Sequence, residues 1–199
     1  MPNSIVIKKK IQKFKKKIEV SGDKSISIRW VLLSSLAEGV SYAKNLLMSE
    51  DVIAAINAIR KLGIKVNIKK NLCEVIGNGI NGYKYKKNIV INAQNSGTLG
   101  RLILGLLVNT PHPIKIIGDK SLSKRDFSRV SEPLSKFGAK FKLRNKNYLP
   151  LKIYGLSKLK PIKYRKNRGS AQCKSSIIFA AMRTNGTSTI IAKKSRNHT

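Results

Sequence analysis

An internal repeat constrains the fold of this 199-residue chain more than any other feature of its sequence. Three segments share one plan, in which a small polar turn opens an apolar helix, a short break follows and a β-rich run closes the segment. They begin at Ser21 (SGDKSISIRWVLLSSL), Asn92 (NAQNSGTLGRLILGLL) and Arg168 (RGSAQCKSSIIFAAM). Because repeats of about 70 residues are far longer than solenoid units, each is interpreted as a folding unit packed around a shared axis.

The first two segments are each followed by a second helix and a strand. From Val52 to Leu62 apolar residues recur at three- and four-residue steps, which is the spacing of one helical face, and Gly63 stands where a left-handed C-terminal residue is expected. Ser49 or Asp51 can cap its start. The second unit repeats this face and stops at Gly138. The β-branched runs KNIVINA and STIIAK predict strands, so each unit is predicted as strand, helix, strand, helix and then strands.

The third unit has an opening turn, a helix and a strand, but the sequence reaches Thr199 before a second helix. We therefore expect an α/β (α+β) fold with units at about 21–91, 92–167 and 168–199, the third of them incomplete. An incomplete unit leaves an apolar face that another chain, or the rest of a longer polypeptide, would cover.

The charge balance is strongly basic, with 41 Lys+Arg against 9 Asp+Glu and a net charge of +32. Such a field attracts phosphates, whether on nucleic acid or on a small metabolite. Lysine is spread through the whole chain, and its only dense run spans residues 8–17. This distribution favours solvated faces over a dedicated polyanion surface.

The sequence also predicts the compartment. Cys73 and Cys173 lie far apart without a CxxC pair or a histidine-rich neighbourhood, which argues against a disulfide framework or a zinc site. No apolar run approaches the length of a membrane span, and no secretory signal is present. We expect a cytoplasmic protein.

The three helix openings are where chemistry is expected. The first turn of a helix presents unpaired backbone N–H groups and the positive end of its dipole, so three openings brought together form an anion pocket. They carry Lys24, Ser25 and Arg29; Ser96, Gly97, Thr98 and Arg101; and Ser170, Gln172 and Lys174, while the polar run GDKSLSKRDFSR adds Lys124, Arg125 and Arg129. Taken singly, the hydroxyls are equally well explained as helix caps and the cations as surface charges.

Nine short motifs appear in the order found in a known enzyme family: GDKSIS-x-R, LAEG, NLL, EDV, N-x-GT with an arginine shortly after, GD-x-SL-x-KR, LP, SAQ-x-KS and SRNHT. From about Ser21 to the end, the chain resembles the 3-phosphoshikimate 1-carboxyvinyltransferase (EPSP synthase) family. The resemblance implies transfer of the enolpyruvyl group of phosphoenolpyruvate to the 5-hydroxyl of shikimate 3-phosphate, with release of phosphate. It implies no metal or organic cofactor.

The resemblance also assigns site residues. Lys24 would touch both substrates and carry a proton, and Gln172 would reach both as well. The remaining contacts to shikimate 3-phosphate would come from Ser25, Arg29, Ser170, Ala171 and Arg196, and those to phosphoenolpyruvate from Gly97 and Arg125.

The family fold has two similar domains, each of three βαβαββ units around a shared helical core, with the active site between them. The chain would supply most of the first domain in residues 21–199, while residues 1–20 would belong to the hinge or the second domain. The acids and further arginines of the second domain are absent, so we expect the chain alone to be inactive. The full-length enzyme would be a monomer.

The sequence departs from the family pattern at Ser21, Ile28, Asp126 and Asn197, and Asp126 could partly neutralise its neighbour Arg125. Two alternatives remain open. The sister family acting on a UDP-sugar would show asparagine after the first lysine and a reactive cysteine in a later loop. A basic nucleic-acid-binding fragment would interleave aromatic and basic residues on a sheet, whereas aromatic residues make up only 6% of the chain and no such motif is present, so nucleic acid is not an expected partner.

Overall fold

The computed structural model describes residues 6, 8–10, 12–13, 15–166 and 169–192. Along these residues the chain forms α1 (Lys24–Ser34), β1 (Glu38–Lys44), α2 (Glu50–Lys61), β2 (Lys65–Lys69), β3 (Leu72–Asn78), β4 (Val90–Asn92), α3 (Gly97–Leu106), β5 (Ile114–Ile117), a 3₁₀ turn (Leu122–Lys124), α4 (Ser128–Ser135), β6 (Lys140–Arg144), β7 (Tyr148–Tyr154), β8 (Lys163–Lys166), α5 (Ala171–Ala181) and β9 (Thr189–Ala192).

The strands form three sheets, one for each unit of the repeat. β3 pairs antiparallel with β1 on one edge and with β2 on the other. The second sheet has the order β4–β5–β7–β6, in which β4 and β5 are parallel and the other pairs antiparallel. In the third sheet β8 and β9 are parallel. Parallel neighbours joined through one helix are βαβ crossovers, which confirms the predicted α/β units.

The described residues before α1 do not show the opening strand that was predicted for the first unit. In the second and third units a strand precedes the opening helix and pairs with the strand that follows it, as β4 does with β5. Residues 15–20 form no strand, and no segment of the described chain pairs with the free edge of β1. Val40 and Tyr42 on β1 are 49% and 59% exposed. A strand requires a hydrogen-bonding neighbour, and residues 15–20 do not pair with this edge of β1.

The core is built on α1, α3 and α5. Every residue of α3 except Arg101 is buried, and α3 packs directly against α5. The approach is close enough that a Cβ on Gly105 would lie 2.0 Å from the Ser176 carbonyl oxygen. α2 packs against α1 and α3, and α4 packs against α3 and α5. A helix that is apolar on all sides is stable only inside such a shell.

The second helices follow the sequence prediction closely. α2 buries the face that contains Val52, Ile56 and Ile59, and Gly63 has a φ of +86°. Gly138 likewise has a φ of +111° shortly after α4. Ser49 occupies the N-cap position of α2, but its hydroxyl makes no capping hydrogen bond.

Within the described residues α1 exposes more apolar surface than α5, where the incomplete third unit had led us to expect it. α5 buries Ile177 and Phe179 and exposes few apolar groups, among them Met182 at its end. α1 exposes Ile26 by 63% and Leu33 by 38%, and these residues lie seven apart on one face. Across the described residues, no helix combines the length and the apolar character that crossing a membrane requires.

Candidate active site

Side-chain hydrogen bonds hold the openings of α1, α3 and α5 together at one end of the helical core. Arg29 Nη2 donates to Ser175 Oγ at 3.2 Å, which joins α1 to α5. Gln172 Nε2 donates to Thr98 Oγ1 at 3.0 Å, which joins α5 to α3. Three helix N-termini, each with a positive dipole end, therefore face the same region, as the repeat had predicted.

Each of these helices is capped by the residue before it. The Asp23 carboxylate accepts from Ile26 N at 2.7 Å, Ser96 Oγ from Leu99 N at 3.2 Å and Ser170 Oγ from Cys173 N at 3.3 Å. Of the four hydroxyls that the sequence offered as caps, Ser96 and Ser170 are caps, whereas Ser25 and Thr98 are not. The hydroxyls of Ser25 and Thr98 are not needed to cap a helix N-terminus, so they are available to the site.

Arg29 is a half-buried cation with spare donor capacity. Its Nη1 donates to the Ser25 carbonyl oxygen at 3.1 Å, whereas its Nε is buried and has no protein partner. Burial lowers the pKa of the Arg29 guanidinium, and the nearby Asp23 carboxylate partly opposes that shift. Because arginine remains protonated in proteins, the side chain presents a positive charge and an unused donor. An anion is the ligand such a group suits best.

Arg101 fixes the orientation of Gln172. Its Nη1 donates to Gln172 Oε1 at 2.8 Å, and its guanidinium lies 5.3 Å from the centre of the Phe127 ring. Burial lowers the pKa of Arg101, and the charges of Arg125 and Arg129 act in the same direction. Since its oxygen faces Arg101 and its nitrogen faces Thr98, the Gln172 amide is held at both ends.

Gly97, the first residue of α3, lies beneath two guanidinium groups. A Cβ at this position would be 3.0 Å from Nη1 of both Arg101 and Arg125. Arg125 Nη2 donates to Asn95 Oδ1 at 3.0 Å, which orients this exposed arginine. Two arginines above an unobstructed helix start form a cradle for a phosphate or a carboxylate.

Lys24 begins α1 and forms an ion pair that sequence reasoning missed. Its Nζ lies 3.1 Å from Asp51 Oδ2 in the first turn of α2, and the two side chains are 52% and 21% exposed. Asp51 had been considered only as a cap. It lies in the EDV motif, as Asn95 lies in N-x-GT, so both were within motifs that already pointed to the site.

Asp126 does not neutralise Arg125 in the way its position suggested. Its Oδ1 accepts hydrogen bonds from Ser128 N and Oγ at 2.8 and 2.6 Å, and its Oδ2 lies 3.4 Å from Arg129 Nε. Burial raises the pKa of the Asp126 carboxyl, but these hydrogen bonds and the Arg129 charge outweigh it, so the pKa lies below its usual value.

The remaining predicted residues lie near the start of α5 or outside the described chain. Ser170 is its N-cap, and Ala171, its first helical residue, is half-buried. Arg196 and Asn197 lie outside the described residues. In the described parts of the chain, no three His, Cys, Asp or Glu side chains converge as metal ligands. The arrangement is suited to binding two small anions side by side, with Lys24 able to carry a proton.

Comparison with known proteins agrees with this geometry. A sequence model of the family described as EPSP synthase (3-phosphoshikimate 1-carboxyvinyltransferase) matches residues 8–199. The 3-phosphoshikimate 1-carboxyvinyltransferase of Streptococcus suis is 42% identical over 195 residues, which cover 97% of this chain and 46% of the relative. That of Caldicellulosiruptor bescii is 41% identical over 190 residues, covering 94% and 43%.

A solved structure matches as well. The EPSP synthase of Acinetobacter baumannii superposes with a TM-score of 0.85 at 33% identity, over 91% of this chain and 41% of that one. The chain thus spans less than half the length of the curated relatives it matches. The family-model match over nearly the whole sequence, together with the shared fold, shows that the chain belongs to the EPSP synthase family.

Proposed function

We propose that this chain forms the first-domain half of a 3-phosphoshikimate 1-carboxyvinyltransferase. The complete enzyme would transfer the enolpyruvyl group of phosphoenolpyruvate to the 5-hydroxyl of shikimate 3-phosphate and release phosphate. The observation that carries the proposal is the convergence of three helix N-termini with Arg29, Arg101 and Arg125 around Gly97 and Gln172. Both substrates are small polyanions, and this cluster concentrates positive charge and backbone donors at one place.

The proposed contacts divide between the two substrates. Shikimate 3-phosphate would be held on the α1 and α5 side by Lys24, Ser25, Arg29, Ser170, Ala171, Gln172 and Arg196. Phosphoenolpyruvate would lie on the α3 side, bound by Lys24, Gly97, Gln172 and Arg125. The Arg29 guanidinium between the openings of α1 and α5 supports the first assignment, and the two guanidiniums above Gly97 support the second. Arg101 would position Gln172, which is shared by both substrates.

The proposal extends to the organisation of the whole enzyme. Residues 21–199 would belong to the first domain, in units of about 21–91, 92–167 and 168–199, with residues 1–20 in the hinge or second domain. The second domain would supply the acid and base that proton transfer requires. We propose a cytoplasmic enzyme that uses no cofactor and is a monomer when both domains are present.

The test is calorimetric titration of the 199-residue chain with shikimate 3-phosphate. We expect weak binding, and no release of phosphate when phosphoenolpyruvate is added. Arg29→Ala should weaken shikimate 3-phosphate binding by about 1.5–3 kcal/mol, the loss expected for a charged hydrogen bond. Arg125→Ala is the control, because its expected ligand is the other substrate, and it should leave that affinity nearly unchanged. Equal losses for both variants, or no binding by the unmodified chain, would contradict the proposal.

A further inference from the structure

A row of three lysines crosses the outer face of the second sheet. In the strand register, Lys152 of β7 stands directly opposite Lys115 of β5 on one side and Lys142 of β6 on the other. The alternate residues Leu151 and Ile153 are buried and face the helices. Because side chains alternate between the faces of a sheet, the three lysines share the face that points away from the core.

One further pair extends this row. Lys140 of β6 stands opposite Tyr154 of β7, one step along the same face. Tyr154 is 37% exposed, and the Lys152 ammonium lies 5.5 Å from the centre of its ring. Lys115, Lys140, Lys142, Lys152 and Tyr154 together are here called the basic face. It shares no residue with the candidate active site.

The basic face has no counter-charge of its own. Both carboxylate ion pairs found in the described chain, Lys24–Asp51 and Arg129–Asp126, lie outside it. Like charges that stand directly opposite each other destabilise a sheet. Neighbouring strands lie about 4.8 Å apart, so the three lysines form a positive row about 10 Å long. A bound polyanion would relieve the repulsion along that row.

The equivalent position in the first sheet has no such row. There the residues opposite one another across β1, β3 and β2 are Tyr42, Glu74 and Asn67, and Asn67 Nδ2 donates to Glu74 Oε1 at 2.7 Å. The two sheets come from equivalent units of one chain, in which residues 21–91 contain nine lysines and residues 92–167 contain twelve. The lysine row is thus a local property of the second sheet, which makes the first sheet an internal control.

We propose that the basic face binds single-stranded nucleic acid, with backbone phosphates along the lysine row and a base stacked on Tyr154. An aromatic ring among cations on an exposed sheet is the arrangement by which single strands are held without sequence readout. Tyr154 is the only large hydrophobic side chain exposed on β6 and β7, which leaves little apolar surface to enter a membrane. The sequence did not indicate this surface, because its residues become neighbours only through the strand register.

The experiment compares two charge-matched variants of the 199-residue chain. The first is Lys115→Gln/Lys142→Gln/Lys152→Gln, and the control, on the outer face of the first sheet, is Lys44→Gln/Lys65→Gln/Lys69→Gln. Binding of fluorescein-labelled oligo(U) is followed by anisotropy at about 50 and 200 mM KCl. The first variant should bind at least about tenfold more weakly at the lower salt, and the slope of log K against log salt should fall by about two. The control should change affinity by less than about twofold.

A third variant separates base stacking from charge. Tyr154→Ala should weaken oligo(U) binding by at least about fivefold, the lower limit for loss of one stacked base. Its binding to inorganic polyphosphate, which has no bases, should be unchanged. Urea unfolding checks all variants, and removing the lysine row should not lower the midpoint, because repulsion is relieved.

Three results would overturn the proposal. Equal losses in the two triple variants would mean that overall charge, not this face, binds the strand. An unchanged affinity for Tyr154→Ala would remove the base contact. Loss of binding by the first triple variant to phosphatidylglycerol vesicles, but not to oligo(U), would assign the face to a membrane surface instead.

Discussion

Any anion that enters the site must compete with Asp51 for the ammonium group of Lys24. Its ammonium is paired with Asp51 across α1 and α2, yet half of the lysine side chain is exposed. Pairs of this kind contribute little to stability, because water and salt screen them. We infer that an incoming phosphate must displace the Asp51 carboxylate or share the ammonium with it.

Asp51→Asn should therefore tighten binding of shikimate 3-phosphate to the chain. The affinity should rise by about 1.4- to fivefold, since an exposed ion pair contributes about 0.2–1 kcal/mol. Glu50→Gln is the matched control, because it removes the same charge at the neighbouring residue. The Glu50 side chain is exposed and makes no ion pair in the described structure. Calorimetry would show the difference, and equal tightening in both variants would mean that the general field, not competition for Lys24, is responsible.

Asp126 gives the fold a pH dependence of known sign. Its pKa is lower in the folded chain than the usual aspartate value, so the ionised carboxylate stabilises the fold above that value and ceases to do so as the pH falls through the folded pKa. Asp126→Asn should lower the free energy of unfolding by about 1 kcal/mol at neutral pH, a figure reduced for partial exposure. Urea titrations should show the two proteins converging by about pH 2, and a constant difference at every pH would contradict the assignment.

At the scale of elements, the contact between α3 and α5 fixes the geometry of the site. Gly105→Ala would bring a methyl group to 2.0 Å from the Ser176 carbonyl oxygen and would force the helices apart. The variant should lose about 3 kcal/mol or more of unfolding free energy, although alanine favours helix over glycine by about 1 kcal/mol. Gly169→Ala is the control, since nothing lies within 4 Å of its added Cβ. Similar urea midpoints for both variants would show that α5 can shift freely.

The elements that the sequence predicted well are those specified locally. Periodicity and a glycine stop defined α2, and Gly63 has the left-handed conformation that its position required. That residues 15–20 form no strand could not be predicted, because a strand depends on a partner elsewhere in the chain. The same holds for the candidate site. The helix openings could be predicted from the sequence, whereas the hydrogen bonds Arg29–Ser175 and Arg101–Gln172 could not, because they join residues 146 and 71 positions apart.

At the scale of the whole molecule, charge and apolar surface oppose each other. The net charge of +32 keeps copies apart at low salt. Association is favoured by Ile26 and Leu33 on α1 and by the edge of β1 that no strand of the described residues covers. At 0.1 M salt, the repulsion between exposed charges more than about 10 Å apart is largely screened. We expect sedimentation to show a monomer in dilute, low-salt solution and larger species as salt rises. Ile26→Gln/Leu33→Gln should reduce that trend, and a monomer at every salt concentration would refute it.

The same long-range contacts can form only after α5 has been synthesised on the ribosome. Ser176 Oγ donates to the Arg101 carbonyl oxygen across 75 residues, so α3 waits roughly 4–15 s for its partner at 5–20 residues per second. α1 waits about twice as long for Ser175, which is 146 residues downstream of Arg29. During that interval the anion pocket does not exist, and no substrate can act as a template for the nascent chain. Until α5 emerges, the apolar faces of α1 and α3 lack this partner, and only the positive charge of the chain opposes association of nascent chains.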